Sequence, residues 1–310
     1  RQRQMCIRDR YIDLKAKLLG KEKVHMYDVY VNTLDVENKK IEYEDAKQTV
    51  LDALNIMGDE YITVLKHAFA NNWLDVYTKE NKMSGAYSMG VHSVHPFVLL
   101  NYINSSRDVS TIAHELGHSM HSYYASNNQN IINANYTIMV AEVASTVNEI
   151  LLANYLINKE TDNKKKAALI NEQLDMIRAT LIRQAMFAEF EKDVHSKIEN
   201  GESLTSDILN NIYYKLVKKY FGDSCIIDEE IKYEWARIPH FYRCFYVYKY
   251  STGITSAIVI ASKILSGEQE YVKKYINMLS QGGAKDSLSL LRMVDVDLEK
   301  EETYEEAFEY

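Results

Sequence analysis

Hydrophobic residues recur along most of this chain at intervals of three and four, the period of an amphipathic α-helix. This pattern predicts helices over residues 43–54, 59–73, 136–156, 163–200, 206–221 and 254–265. Only 2 prolines and 11 glycines occur among the 310 residues, which is too few for a β-sandwich or a disordered chain. We therefore expect a mainly α-helical protein.

One stretch departs from the helical period. Residues 96–102 (PFVLLNY) form a short apolar run with β character, and the glycine-flanked residues 85–90 before it predict a flexible loop. A strand at 96–102 could pair with an extended peptide by strand addition, or it could belong to an internal hairpin, and the sequence leaves both readings open. Residues 85–90 lack the glycine spacing of phosphate-binding loops, so no nucleotide site is predicted.

The sequence directly after this run contains the spacing H-E-x-x-H, from His114 through Glu115 to His118. Residues four apart lie on one face of an α-helix, so the two imidazoles can approach a single metal ion. Glu115 lies about 100° around the helix from His114, close enough to reach a water on that metal. A carboxylate in that position can take the proton of the water as it attacks a carbonyl group.

The apolar positions around the motif place it on a helix. One stripe on this helix is formed by Val109, Ile112, Leu116 and Met120, on the side opposite the two histidines. Ser106 or Asp108 could cap the helix at its start. Gly117 inside it lowers helix stability by up to about 1 kcal/mol relative to alanine, which indicates a closely packed neighbour at that face.

A third metal ligand is predicted from the helix over residues 136–156. Glu142 is the only charged residue within 138–147 (IMVAEVASTV), and a lone buried carboxylate is unfavourable unless a partner such as zinc compensates it. His121 is the alternative ligand, but it lies about 10 Å along the helix axis from His114. We favour Glu142. Glu149 either orients a ligand histidine or forms an ordinary helix salt bridge.

A second unusual stretch lies at residues 237–250, where His240 precedes Tyr246, Tyr248 and Tyr250. Hydrolysis of a peptide bond passes through an oxyanion, which tyrosine hydroxyls and a histidine N–H can stabilise by donating hydrogen bonds. An aromatic core helix accounts for most of these rings. We expect one or two of the tyrosines to face a substrate, and the sequence does not say which.

Charge and cysteine content restrict the partners and the compartment. The net charge of −8 argues against nucleic acid and anionic membranes as partners. No stretch approaches 18 uninterrupted apolar residues, so no membrane span is expected. The three cysteines are far apart and lack the spacing of metal ligands, which favours a reducing, cytoplasmic location.

Four segments together are more specific than H-E-x-x-H alone. They are HELGHSMHSYY at 114–124, TIMVAEVAST at 137–146, GAY at 85–87 with PFVLLNY at 96–102, and IPHFYRCFYVYKYSTG at 238–253. In these segments the chain resembles the oligoendopeptidase F branch of the thimet-oligopeptidase-like zinc metallopeptidases. The resemblance implies a mainly helical catalytic domain, with a short β element beside the HExxH helix, that acts on short oligopeptides.

The resemblance also implies roles for individual residues. It implies one zinc ion per chain, held by His114, His118 and Glu142, with Glu115 as the catalytic base. It implies that His240 contacts the substrate and stabilises the oxyanion together with Tyr246, Tyr248 and Tyr250.

The extent of the chain differs from the family pattern, in which a further N-terminal helical half forms the other wall of a substrate channel. We expect residues 11–310 to be a catalytic domain without that half. Residues 1–10 are basic and carry no apolar stripe, so we expect a non-native leader there.

Three hypotheses follow from the sequence. The first is a zinc endopeptidase acting on short oligopeptides. The alternatives are a zinc exopeptidase with the same ligand set and a non-catalytic fragment that binds peptides.

Overall fold

The computed structural model describes residues 2–34 and 40–310, with side chains from residue 9 onward in the first helix. The expected leader at residues 1–10 therefore lies partly outside the described residues. The helices are α1 (Gln2–Leu18), α2 (Tyr43–Leu54), α3 (Asp59–Ala70), α4 (Ser106–Asn128), α5 (Ile138–Lys159), α6 (Asn163–Ile177), α7 (Arg183–Glu199), α8 (Ser206–Phe221), α9 (Tyr248–Leu265), α10 (Gln269–Leu279), α11 (Ser287–Arg292) and α12 (Glu301–Ala307). The strands are β1 (Val24–His25), β2 (Leu74–Tyr77), β3 (Tyr87–Met89), β4 (Phe97–Tyr102) and β5 (Cys225–Ile226). The prediction of a mainly α-helical protein is confirmed.

The chain forms two compact units. One unit contains Arg1–Asp35 and Asn171–Ser251, and the other contains Val36–Ile170 and Thr252–Tyr310. We call them the first and the second unit. The division of the chain into a leader and one catalytic domain over 11–310 stays a prediction.

The first unit is built on helices α1, α7 and α8. Its core contains Ile12, Phe187, Phe190, Tyr213 and Val217, all of them buried. The predicted helix over 163–200 is interrupted by a π-type segment at Arg178–Ile182. It ends at Glu199, two residues before Gly201, which adopts a positive φ of 79°. The predicted helix over 206–221 has the same bounds in the structure.

The second unit contains a three-stranded sheet in the order β2-β4-β3. Strand β2 runs parallel to β4, while β3 runs antiparallel and aligns Tyr87 with Leu99 and Met89 with Phe97. Residues 85–90 therefore contain a strand where the sequence predicted only a loop, because pairing with β4 fixes them in extended form. Both edges of β4 are occupied, so the internal hairpin is the correct reading of 96–102. Among the described strands, β2 and β3 are the two edges of this sheet, and each has one side unpaired.

Helix α4 begins after Ser105, whose hydroxyl accepts a hydrogen bond from the backbone N–H of Asp108. The Asp108 carboxylate in turn accepts from the backbone N–H of Ser105, which completes a capping box. The sequence predicted Ser106 or Asp108 as the N-cap, and both predictions were wrong. The N-cap is Ser105, one residue before Ser106 and three before Asp108. The predicted apolar stripe is buried, with Ile112 and Leu116 fully inaccessible to solvent.

Helix α5 is long and apolar enough, by length and composition, to cross a membrane, and it is the one such helix in the described chain. In the fold it is a core helix that packs on α4. Val143, Val147 and Ile150 are fully buried there.

Candidate metal centre

The site begins with the close crossing of α4 and α5 in the second unit. A Cβ atom on Gly117 would lie 2.5 Å from the carbonyl oxygen of Ala144 and 2.5 Å from Cα of Ser145. Any larger residue would force the two helices apart, so glycine is required at this position. The closely packed neighbour expected from the sequence is confirmed.

This crossing brings three predicted residues together. Glu142 Oε2 lies 3.7 Å from Nε2 of His114 and 3.9 Å from Nε2 of His118. One potential ligand atom from each residue lies within 4.8 Å of the other two. Ligand atoms about 2.1 Å from a tetrahedral zinc ion are separated by roughly 3.4 Å. The distances of 3.7 and 3.9 Å are slightly wider than this, so the three residues form a candidate site for one ion.

Two neighbouring side chains orient these donors. Nδ1 of His114 lies 3.3 Å from Oε1 of Glu149, which fixes the ring so that its Nε2 faces Glu142. The Ser145 hydroxyl is 3.3 Å from Oε2 of Glu142 and 3.1 Å from its backbone oxygen. The sequence left the contact of Glu149 open, and the role of Ser145 was missed. Its position three residues after Glu142, on the same face of α5, was the available signal.

Glu115 is nearly buried beside the histidines, with 6% of its surface exposed. Its Oε2 has no hydrogen-bond partner among the described residues. Burial raises the pKa of Glu115 to about 7, with the carboxylates of Glu142 and Glu149 adding to the shift and His114 opposing it. The Glu115 carboxylate can therefore accept a proton near neutral pH.

The carboxylates around His114 favour a positive charge on that ring but not on His118. Burial lowers the pKa of His114, but the hydrogen bond and charge of Glu149, together with the charges of Glu115 and Glu142, outweigh burial and raise that pKa to about 9. Burial and the charge of His114 lower the pKa of His118 to about 3. The same carboxylates that hold a proton on His114 would stabilise a metal cation in its place.

His121, the alternative third ligand, lies in different surroundings. It is 1% exposed, and its ring stacks on Tyr136 with 3.5 Å between the ring centroids. Burial lowers its pKa to about 3. Among the described residues, the group of donors within 4.8 Å of one another contains Glu142 and not His121.

The predicted aromatic residues lie in the first unit. The hydroxyl of Tyr250 is 3.5 Å from Nε2 of His240, and the ring of Tyr246 lies 5.6 Å from that of Tyr250 and 5.7 Å from that of His240. These three residues form one aromatic group. Tyr248, at the start of α9, is 39% exposed. The catalytic roles proposed for these four residues stay predictions.

Two imidazoles and a carboxylate converge on crossing helices beside a buried glutamate, an arrangement that defines the HExxH class of candidate metal sites. Residues 3–310 match the family model described as Peptidase family M3. The chain belongs to this family.

The relatives agree with this assignment. The chain is 44% identical over 298 residues to the oligopeptidase PepF of Bacillus subtilis (strain 168). This alignment covers 96% of the chain and 44% of the relative. The crystal structure of oligoendopeptidase-F from Enterococcus faecium superimposes with a TM-score of 0.74 at 34% identity, covering 99% of this chain and 48% of that one. A crystal structure of a Chlamydophila abortus protein superimposes with a TM-score of 0.89 at 38% identity, covering 98% and 52%.

The sequence-based resemblance to oligoendopeptidase F is therefore confirmed. The chain spans about half the length of the curated relatives it matches.

Proposed function

We propose that this chain is the catalytic part of a zinc-dependent endopeptidase that hydrolyses short oligopeptides. The observation that carries this proposal is the convergence of His114, His118 and Glu142, with Glu115 buried beside them. Membership of a peptidase family supports the same reaction class.

The donor set suits zinc. Two imidazole nitrogens and one carboxylate oxygen are typical of catalytic zinc sites, which leave a fourth position open, whereas magnesium and calcium prefer oxygen ligands. His114, His118 and Glu142 would hold the ion. When bound, zinc supplies a Lewis acid that polarises a peptide carbonyl and lowers the pKa of water toward neutrality.

Glu115 carries the proton in this proposal. With the ion bound, the pKa of the neighbouring Glu115 carboxyl group would fall, and Glu115 would be ionised at neutral pH. It accepts a proton from water as the water oxygen bonds to the carbonyl carbon. It then donates that proton to the amide nitrogen as the C–N bond breaks, and an acid and an amine result.

The open edge of β3 is the surface on which an extended peptide would pair, in place of the predicted pairing at 96–102. Strand β3 is fixed to α4 by a 2.9 Å hydrogen bond between the hydroxyls of Ser88 and Ser119. A Cβ atom on Gly90 would lie 2.6 Å from the side chain of Ser122, so this glycine permits the close approach. A peptide on this edge would lie beside the helix that carries the histidines.

His240, Tyr246, Tyr248 and Tyr250 are proposed to contact the substrate. Their hydroxyl and imidazole donors can stabilise an oxyanion. The hydrogen bond between Tyr250 and His240 supports a shared role for these two residues.

The test is the variant E115Q, assayed on a peptide blocked at both ends. Hydrolysis is expected to fall by about 10²–10⁴-fold, the usual contribution of a general base, while zinc content stays at one per chain. E44Q, which removes an exposed glutamate of the same unit, serves as the control. Full activity in E115Q contradicts the proposal. Cleavage of unblocked peptides alone favours an exopeptidase, and a wild-type chain that binds no zinc favours a peptide-binding fragment.

A further inference from the structure

Helices α4 and α5 cross in antiparallel register, and two contacts define that register. Gly117 on α4 faces Ala144 on α5. One turn further along α5, Asn148 Nδ2 donates a 3.1 Å hydrogen bond to the backbone oxygen of Ala113, one turn earlier on α4. Asn148 is fully buried. The steric contact limits how closely the helices approach, whereas the hydrogen bond fixes how far one helix slides along the other.

A third helix holds the Asn148 amide in this orientation. The hydroxyl of Tyr61 on α3 donates a 3.0 Å hydrogen bond to Oδ1 of Asn148. Tyr61 is 1% exposed. The Ala113 carbonyl can only accept, so the amide nitrogen must face it and the amide oxygen must face Tyr61. The orientation is therefore determined, and both polar ends of the buried side chain are bonded.

We propose that Asn148 is a positioning residue for the candidate metal centre and that Tyr61 holds it in place. The inference rests on the proposed function only in that it concerns the same metal centre. Ala113 immediately precedes His114 in sequence, and Asn148 immediately precedes Glu149, the carboxylate that bonds Nδ1 of His114. The bonded pair thus lies directly beside the pair that orients the ligand ring.

The magnitude of a slip shows why the register matters. Moving α5 by one residue along its axis displaces Glu142 and Glu149 by about 1.5 Å relative to α4. Metal–ligand distances in working sites agree within about 0.2 Å, so such a slip would separate the donors. A slipped register would also leave the buried amide of Asn148 without its partners, which is unfavourable.

The experiment measures zinc affinity of the full 310-residue chain by competition with a chromophoric chelator. N148L, which is similar in size but makes neither hydrogen bond, is expected to let Glu149 shift away from His114. Zinc binding should then weaken by up to about 10–100-fold, the effect of losing an outer partner of a metal ligand. Y61F, which keeps the bond to Ala113 but frees the amide, is expected to weaken it less. The cobalt-substituted N148L chain should also show a shifted visible absorption spectrum.

The matched control is V147A, at the fully buried neighbouring position of the same helix. It removes packing without a hydrogen bond, so it should lower Tm and leave zinc affinity and the cobalt spectrum unchanged. Equal weakening by V147A and N148L at similar Tm would mean that Asn148 acts only through stability, and the inference would be wrong.

The remaining outcomes also decide the question. N148L that binds zinc as tightly as a zinc-binding wild type overturns the inference and leaves the proposed function intact. A wild-type chain that binds no zinc overturns both. If N148L fails to fold, Y61F decides: wild-type affinity together with a wild-type cobalt spectrum overturns the inference, and a loss in both supports it.

Discussion

The α4–α5 crossing and the segment 240–250 both carry predicted site residues, but they are held in different ways. At the crossing, backbone atoms would approach a Gly117 Cβ to 2.5 Å, and the residues between the donors are buried. In the segment, Tyr242 is 86% exposed and Phe245 adopts a positive φ of 52°. The candidate metal donors are therefore positioned by the fold of the second unit, whereas the proposed aromatic donors lie on a more exposed stretch. Metal binding and oxyanion stabilisation should respond to separate mutations.

The largest expected effect is the loss of zinc from a variant at the α4–α5 crossing, compared with a variant in the segment 240–250. H118A removes one of three proposed ligands. Losing only the outer partner of a ligand weakens metal binding by about 10–100-fold, so the zinc affinity of H118A should fall by more than this. H240A should retain one zinc per chain and lose turnover of a blocked peptide. Elemental analysis after dialysis against a weak chelator measures both variants. Zinc loss in H240A, or its retention in H118A, would remove the distinction between the regions.

The next effect concerns the tyrosines. Y250F removes the hydroxyl that lies 3.5 Å from His240. We expect kcat to fall by about 10²-fold with KM and zinc content nearly unchanged, the usual effect of losing one oxyanion donor. Y246F and Y248F show whether a second tyrosine takes part, and the exposed Tyr242 provides the control Y242F. Wild-type kcat in Y246F, Y248F and Y250F would exclude the three tyrosine hydroxyls from the reaction.

The crossing could be predicted from the sequence because its signals are local. The spacing of His114 and His118 fixed one helix face, and Glu142 stood out as a lone acid in an apolar helix. Gly117 indicated a close neighbour. The identity of that neighbour, and the bond from Asn148 to Ala113, could not be predicted, because they depend on the register between helices far apart in sequence.

Strand β3 was missed for a related reason. It has three residues, too few for a detectable alternation, and its extended form depends on pairing Met89 with Phe97 on β4. The aromatic segment was recognised by composition and by resemblance. Tyr246, Tyr248 and Tyr250 could not be ranked in advance, because their exposure depends on how the chain turns between Pro239 and α9.

A smaller effect tests how tightly the crossing is packed. G117A inserts a methyl group where no space exists, so the free energy of unfolding should fall by about 1–3 kcal/mol, and zinc binding should weaken as Glu142 moves away. G253A is the matched control, because a Cβ on this helical glycine would lie 3.5 Å from Cβ of Glu142, an ordinary contact. Stability in G253A should stay the same or rise by up to about 1 kcal/mol. Urea denaturation compares the two, and equal stabilities would mean that the crossing tolerates a wider separation.

The smallest effect comes from the pH dependence of zinc binding in E149Q. In the proposed site Glu149 would strengthen metal binding by holding the His114 ring, but it also raises the affinity of that ring for a proton. Burial lowers the pKa of His114, yet Glu149 and the neighbouring carboxylates raise it to about 9, so zinc must displace a proton at pH 7. Loss of the Glu149 charge lowers this pKa and relieves the competition, which offsets part of the weakening at pH 7. Above pH 9 the ring of the wild type is neutral, and no offset remains.

The ratio of wild-type to E149Q zinc affinity should therefore be smallest at pH 7 and rise toward about tenfold or more at pH 9.5, as measured by chelator competition with E44Q as the control. A ratio that is constant or falls with pH would mean that Glu149 does not govern the protonation of His114.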